Sequence, residues 1–97
     1  AQALRIVESL DLAQALLRRG ERSHAAILEA VTKKLGEASQ ATIHYADLRD
    51  PTTLEPAPAV LEGPTLLAIA LLFQKDPDGR GAEVRLIDNR VLEVDPA

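Results

Sequence analysis

The sequence has no cysteine, no methionine and no tryptophan, and one Phe and one Tyr are its only aromatic residues besides two histidines. Without cysteine there is no disulfide framework, no thiolate metal site and no thiol nucleophile. With so few rings, the core must be assembled from Leu, Ile, Val and Ala. Long apolar runs are missing too. The longest, Gly63 to Phe73, falls well short of the roughly 20 residues a membrane-spanning helix needs. The N-terminus has no basic segment leading into an apolar block, so no secretory signal is expected. Asp and Glu outnumber Lys and Arg by 15 to 11, for a net charge of −4. The basic residues are scattered apart from the pairs Arg18-Arg19 and Lys33-Lys34, which argues against a nucleic-acid partner. These features fit a cytoplasmic protein with no membrane partner.

What is present suits one small domain. The chain has 97 residues, 46% of them hydrophobic, and this length can bury about two-thirds of the unfolded surface without a metal or disulfide. It has no initiator Met and starts inside a helical pattern, so a piece of a longer protein is expected.

Ala3, Ile6, Val7, Leu10, Ala13 and Leu17 follow helical spacing and predict a first helix from Ala1 to Arg19. Arg5, Glu8, Asp11, Gln14 and Arg18 fall on its wet side, while Leu4, Leu12 and Leu16 widen the apolar surface. Gly20 suits a C-terminal cap, with Arg18 and Arg19 at the negative end of the helix dipole. Ser23 suits the N-cap of a second helix running to Leu35. Ala26, Ile27, Ala30, Val31 and Leu35 line its inner side, Glu29, Lys33 and Lys34 its outer side, and Gly36 ends it. The short Gly20-Glu21-Arg22 connection makes the two helices antiparallel neighbours.

Ala41 to Arg49 then predicts a strand, with Ile43, Tyr45 and Asp47 on one face and Thr42, His44, Ala46 and Leu48 on the other. Neither face is purely polar. Asp50-Pro51-Thr52-Thr53 is a turn, and three prolines keep Leu54 to Pro64 irregular. Thr65 to Phe73 is expected as the central strand. Its Leu and Ala residues also suit a helix, but its shortness and its neighbours favour a strand. Gln74 to Ala82 is a polar loop. Glu83 to Asp88 returns as a third strand, an Asp88-Asn89-Arg90 break follows, and Val91 to Val94 forms a short extended tail. The expected class is therefore α+β: two antiparallel helices packed on a small, mainly antiparallel three-stranded sheet.

No catalytic apparatus stands out. His24 lies in the first turn of a helix, on its exposed side, and His44 lies in a strand, with no nucleophile beside either. His44, Asp47 and Asp50 are close in sequence, but alternate strand positions face opposite ways, so no metal site is expected. Gly79-Arg80-Gly81 has neither the spacing nor the strand–helix setting of a phosphate loop. The weak binding candidates are Arg80, which could reach an anion from its loop, and Arg85 and Asp88, which could pair with each other or position a ligand. Side-chain caps of a turn are the preferred reading of Asp88 and Asn89.

Three ordered segments carry a family resemblance. The stretch Ile43-His44-Tyr45-Ala46-Asp47-Leu48-Arg49-Asp50-Pro51-Thr52-Thr53-Leu54-Glu55-Pro56 resembles the I-x-Y-x-x-L/V-x-D-P-x-T-L-x-P stretch of pantothenate synthetases (pantoate–β-alanine ligases). Gly63 to Ala70 is similar to the apolar strand that follows in that family, and Arg85-Leu86-Ile87-Asp88-Asn89 to its closing R-L-I-D-N. Arg19-Gly20-Glu21-Arg22 resembles the family's link between two helices. The resemblance implies that the parent enzyme activates pantoate as an adenylate with ATP and Mg²⁺, and that β-alanine then displaces AMP. It also implies that this chain is the C-terminal lid domain alone, because the H-I-G-H-type and S-S-R-N-type motifs of the nucleotide-binding half are absent. The expected partner is then an N-terminal Rossmann-like domain. The chain itself would hold no cofactor and no catalytic residue, and would be inactive by itself. Gln74 to Glu83 is longer than the family's usual connection. The rival reading is a non-enzymatic interaction module, with a homodimer formed through the broad apolar face of the first helix. A self-contained enzyme would need a polar pocket that the sequence does not display.

Overall fold

A computed structural model of the chain describes residues 3–37, 41–74 and 83–94. Two helices, α1 (Ala3–Arg18) and α2 (His24–Leu35), precede three strands: β1 (Ala41–Arg49), β2 (Thr65–Gln74) and β3 (Glu83–Leu92). The strands form one antiparallel sheet in the order β1-β2-β3. The helices pack on each other and on one face of this sheet. They run antiparallel: Lys34, in the last turn of α2, reaches Glu8 near the start of α1, at 3.2 Å.

The core lies between the helix pair and this sheet face. Ile6, Leu10, Ala13 and Leu17 of α1 meet Ile27, Val31 and Leu35 of α2, and below them Leu48, Leu67, Ile69, Leu71 and Leu92 of the strands. The aliphatic core expected from the shortage of aromatics is thus present. Ser9 is also wholly buried, which helical spacing alone did not single out. Its hydroxyl donates to the Arg5 carbonyl at 2.7 Å, so the buried polar group is satisfied inside its own helix. Val7 departs from expectation: it is 42% exposed. The core stripe needs only Ile6, Leu10, Ala13 and Leu17, and Val7 lies beside it with Leu4.

Two further expectations are corrected. The Asp88-Asn89-Arg90 break does not exist, because β3 runs unbroken from Glu83 to Leu92 and each of its ten residues pairs with β2. Of the separate tail expected from Val91 to Val94, Val91 and Leu92 are the end of this strand and Glu93 and Val94 follow it. Strand pairing along all of β2 outweighs the weak strand preference of Asp and Asn. The second correction concerns β1. Ile43 pairs with Leu71 and Tyr45 with Ala70, so His44 is an extra residue, a β-bulge. The bulge reverses the alternation. Ile43, Ala46 and Leu48 all face the core, whereas strict alternation puts Ile43 opposite the other two. Adjacent residues of a regular strand point apart, yet the rings of His44 and Tyr45 lie 5.5 Å apart.

Deleting His44 should therefore be tolerated. It joins Ile43 directly to Tyr45, keeps both pairings with β2 and moves no core residue to the wrong face. We expect the urea midpoint to fall by the equivalent of less than about 1 kcal/mol; loss of cooperative unfolding would contradict the bulge assignment.

Candidate functional site

Most residues that carry motif character are used to build the backbone. In Arg19-Gly20-Glu21-Arg22, Gly20 adopts φ 102°, a conformation open to glycine at little cost. The Gly20 amide donates to the Leu17 carbonyl and the Glu21 amide to the Leu16 carbonyl, at 3.1 and 2.9 Å, which closes α1 in a Schellman turn. The Glu21 carboxylate accepts from the amides of Arg22 and Ser23. The Arg22 guanidinium donates to the carbonyls of Leu17 and Glu21. Ser23 then caps α2, its hydroxyl accepting from the Ala26 amide at 3.2 Å. One short segment thus satisfies the open ends of both helices.

The loop after β1 is built the same way. Asp50 Oδ1 accepts from the Thr52 and Thr53 amides at 2.7 and 2.9 Å. The Leu54 amide donates to the Asp50 carbonyl and the Asp50 amide to the Glu55 carbonyl. Arg49 donates to the Leu54 carbonyl at 2.8 Å. Leu54 is held at φ 63°, where an L side chain costs about 1–2 kcal/mol. The two backbone bonds from Thr53 and Thr52 hold the Asp50 carboxyl below its ordinary value of 3.8. A lowered folded value stabilises the fold above the unfolded value and is lost as pH falls through the folded one. Asp50→Asn should therefore be less stable than the parent at pH 7, and the gap should close as pH drops below about 4. Paired urea titrations at pH 7 and 3 check this.

Neither histidine is placed for catalysis. His24, expected on the exposed side of its helix, is half-buried. Its Nδ1 faces the carbonyls of Ala57 and Pro58 at 3.0 and 3.2 Å. Both partners only accept, so Nδ1 carries the proton and pins the proline-rich segment to α2. His44 is the exposed bulge residue. No group of three or more metal-ligating side chains converges among the described residues.

The three binding candidates do not form one site. Arg80 and its flanking glycines lie outside the described residues. Arg85 and Asp88 are both exposed, but three positions apart on a continuous strand they face opposite sides of the sheet. No ion pair joins them among the described residues. Asp88 instead accepts from the Asn89 amide at 2.8 Å.

What the fold does present is a sheet covered on one face only. Cross-strand pairs Leu66–Val91, Ala70–Ile87, Tyr45–Ala70 and Leu72–Arg85 lie on the face away from the helices. Ile87 and Val91 are 55% and 46% exposed there. Ala70 is fully buried although it lies outside the central core cluster, because Tyr45 and Ile87 flank it. Arg49 and Asp47 form an ion pair at 3.3 Å on the same face, and Arg85 adds a cation. An apolar centre with polar margins is the anatomy of a contact surface.

A family model described as pantoate-beta-alanine ligase matches residues 1–91. The chain belongs to this family. The pantothenate synthetase of Desulfatibacillum aliphaticivorans is 40% identical over 91 residues, which cover 94% of this chain and 29% of that protein. The pantothenate synthetase of Geobacter sulfurreducens is 43% identical over 90 residues, and that of Syntrophobacter fumaroxidans 38% over 90, each again covering 29% of the relative. The chain thus spans under a third of the length of these pantoate–β-alanine ligase relatives. The helix-linking and loop segments that resemble the family are the ones whose polar groups are used up in turns and caps.

Proposed function

We propose that this chain is the C-terminal lid domain of a pantoate–β-alanine ligase and that the open sheet face docks onto the rest of that enzyme. The observation that carries the reading is the family match over residues 1–91 by a chain covering 29% of its relatives. A polypeptide of that length fraction leaves a larger body for the lid to close on. In this reading the parent enzyme binds ATP and Mg²⁺ in an N-terminal Rossmann-like domain, forms pantoyl adenylate with release of pyrophosphate, and lets the β-alanine amine displace AMP. The lid's part is to exclude water while the acyl adenylate waits for the amine. It adds no nucleophile, base or metal ligand of its own. Arg85, at the margin of the apolar face, would meet the docked body; Asp88, on the other side, would not. A cytoplasmic location goes with this reading.

A second reading has its own observation. Leu4 and Val7 are 54% and 42% exposed, one helical turn apart on α1, and could seat a second copy in a homodimer. The patch is smaller than the sheet face, and we favour the lid.

The chain alone, given pantoate, β-alanine, ATP and Mg²⁺, should form neither pantothenate nor AMP, while the longer protein forms both in equal amounts. Turnover by the 97-residue chain would overturn the assignment.

A further inference from the structure

Beside the sheet, α1 and the end of β3 enclose an open depression of about 510 Å³ lined by Asp11, Gln14, Ala15, Arg18, Arg19 and Arg90. We propose that it is a binding site for a phosphate-bearing anion. Three arginines, Arg18 and Arg19 at the end of α1 and Arg90 of β3, line it against one carboxylate, in a chain whose net charge is −4. Arg18 and Arg19 are exposed, and their side chains have no hydrogen-bond or ion-pair partner among the described residues. The dipole at the end of α1 accounts for a preference for cations at those two positions. It does not account for Arg90, which the fold brings in from β3.

The wall that carries Arg90 is bonded to α1 at two points. Arg90 Nη1 donates to Asp11 Oδ1 at 2.7 Å, which leaves Nε and Nη2 without a partner among the described residues. Next to it, the Gln14 side-chain amide donates to the Glu93 carbonyl and accepts from the Glu93 amide, both at 3.0 Å. This pair of hydrogen bonds ties the residue after β3 to α1, close to the Arg90–Asp11 contact. Guanidinium forks match phosphate oxygens in pairs. Three forks offer more donors than a single carboxylate can accept, which favours a phosphate or diphosphate group. The volume lies within the range of small-ligand sites, about 300–1,000 Å³. The site is separate from the sheet face and does not depend on the lid reading.

The test is an NMR titration of the chain that follows the arginine Nε–Hε signals. The titrants are inorganic phosphate, pyrophosphate and AMP, with acetate and chloride as controls at matched ionic strength. We expect saturable shifts at Arg18, Arg19 and Arg90 with pyrophosphate, weaker ones with phosphate, and none at Arg85. Arg18→Gln/Arg19→Gln should weaken binding about tenfold, and Arg85→Gln should leave it unchanged. Tighter binding of AMP than of pyrophosphate would support the site and make its ligand a nucleotide; the reverse order would support it as a site for the free anion. Shifts that never saturate, that acetate reproduces, or that survive the double substitution would overturn the proposal.

Discussion

Leu67→Ala should destabilise the domain by about 3 kcal/mol, a large share of the roughly 5–15 kcal/mol available to a domain of this size. Leu67 is fully buried, the third residue of the central strand β2. It pairs with Leu48 on one side and Arg90 on the other, and both helices roof the sheet face it lies on. The strands on either side are fixed by their own ladders and cannot collapse into the space the missing isopropyl group leaves, so both the transfer and the cavity contributions are lost. Ile87→Ala is the matched control. It removes as many carbons from an adjacent strand, but at a position 55% exposed on the uncovered face. There the cost should stay below about 1 kcal/mol. Urea unfolding of both variants, with an unchanged slope, would show a large midpoint shift for the first and a small one for the second. Equal shifts would mean that the sheet has no uncovered face in solution.

The contrast between these two residues also marks what could be read without coordinates. Leu67 and Ile69 sit in a short apolar run whose Leu and Ala residues also suit a helix, and its shortness and neighbouring strands are what point to a central strand. The helix stripe from Ile6 to Leu17 and the Ser23 cap follow from spacing and side-chain chemistry alone. The faces of β1 did not follow, because one extra residue at His44 reverses the alternation beyond it and a sequence does not mark where a bulge falls. The mixed polarity on both supposed faces of β1 was the trace it left. The supposed break at Asp88-Asn89 failed for the opposite reason: two residues with a local preference for turns are held in a ladder by ten pairings with β2. The arginine depression was beyond sequence reasoning, since Arg90 and Arg18 meet only because β3 returns beside α1. The Asp11–Arg90 pair spans 79 residues of chain, and nothing local in either segment announces it.

Ile87→Asp separates the fold from the proposed lid role. In the 97-residue chain the position is exposed, and the substitution should cost no more than about 1 kcal/mol through lost strand preference and lost cover over Ala70. In the longer protein the same side chain would lie at the centre of the docked apolar face. A carboxylate driven into such a contact must be desolvated without a partner, and a penalty of about 2 kcal/mol or more is expected. At 1.36 kcal/mol per tenfold, pantothenate formation should drop about thirtyfold. The loss should also have a particular form. A lid that fails to seat lets water reach the acyl adenylate, so AMP release should fall less than pantothenate formation and the two should no longer be equal. A variant that merely misfolds would lose both together. A variant that keeps both rates and their one-to-one ratio would show that the open face of the sheet looks away from the active site, and would leave the exposed Leu4 and Val7 edge of α1 as the surface that meets a partner.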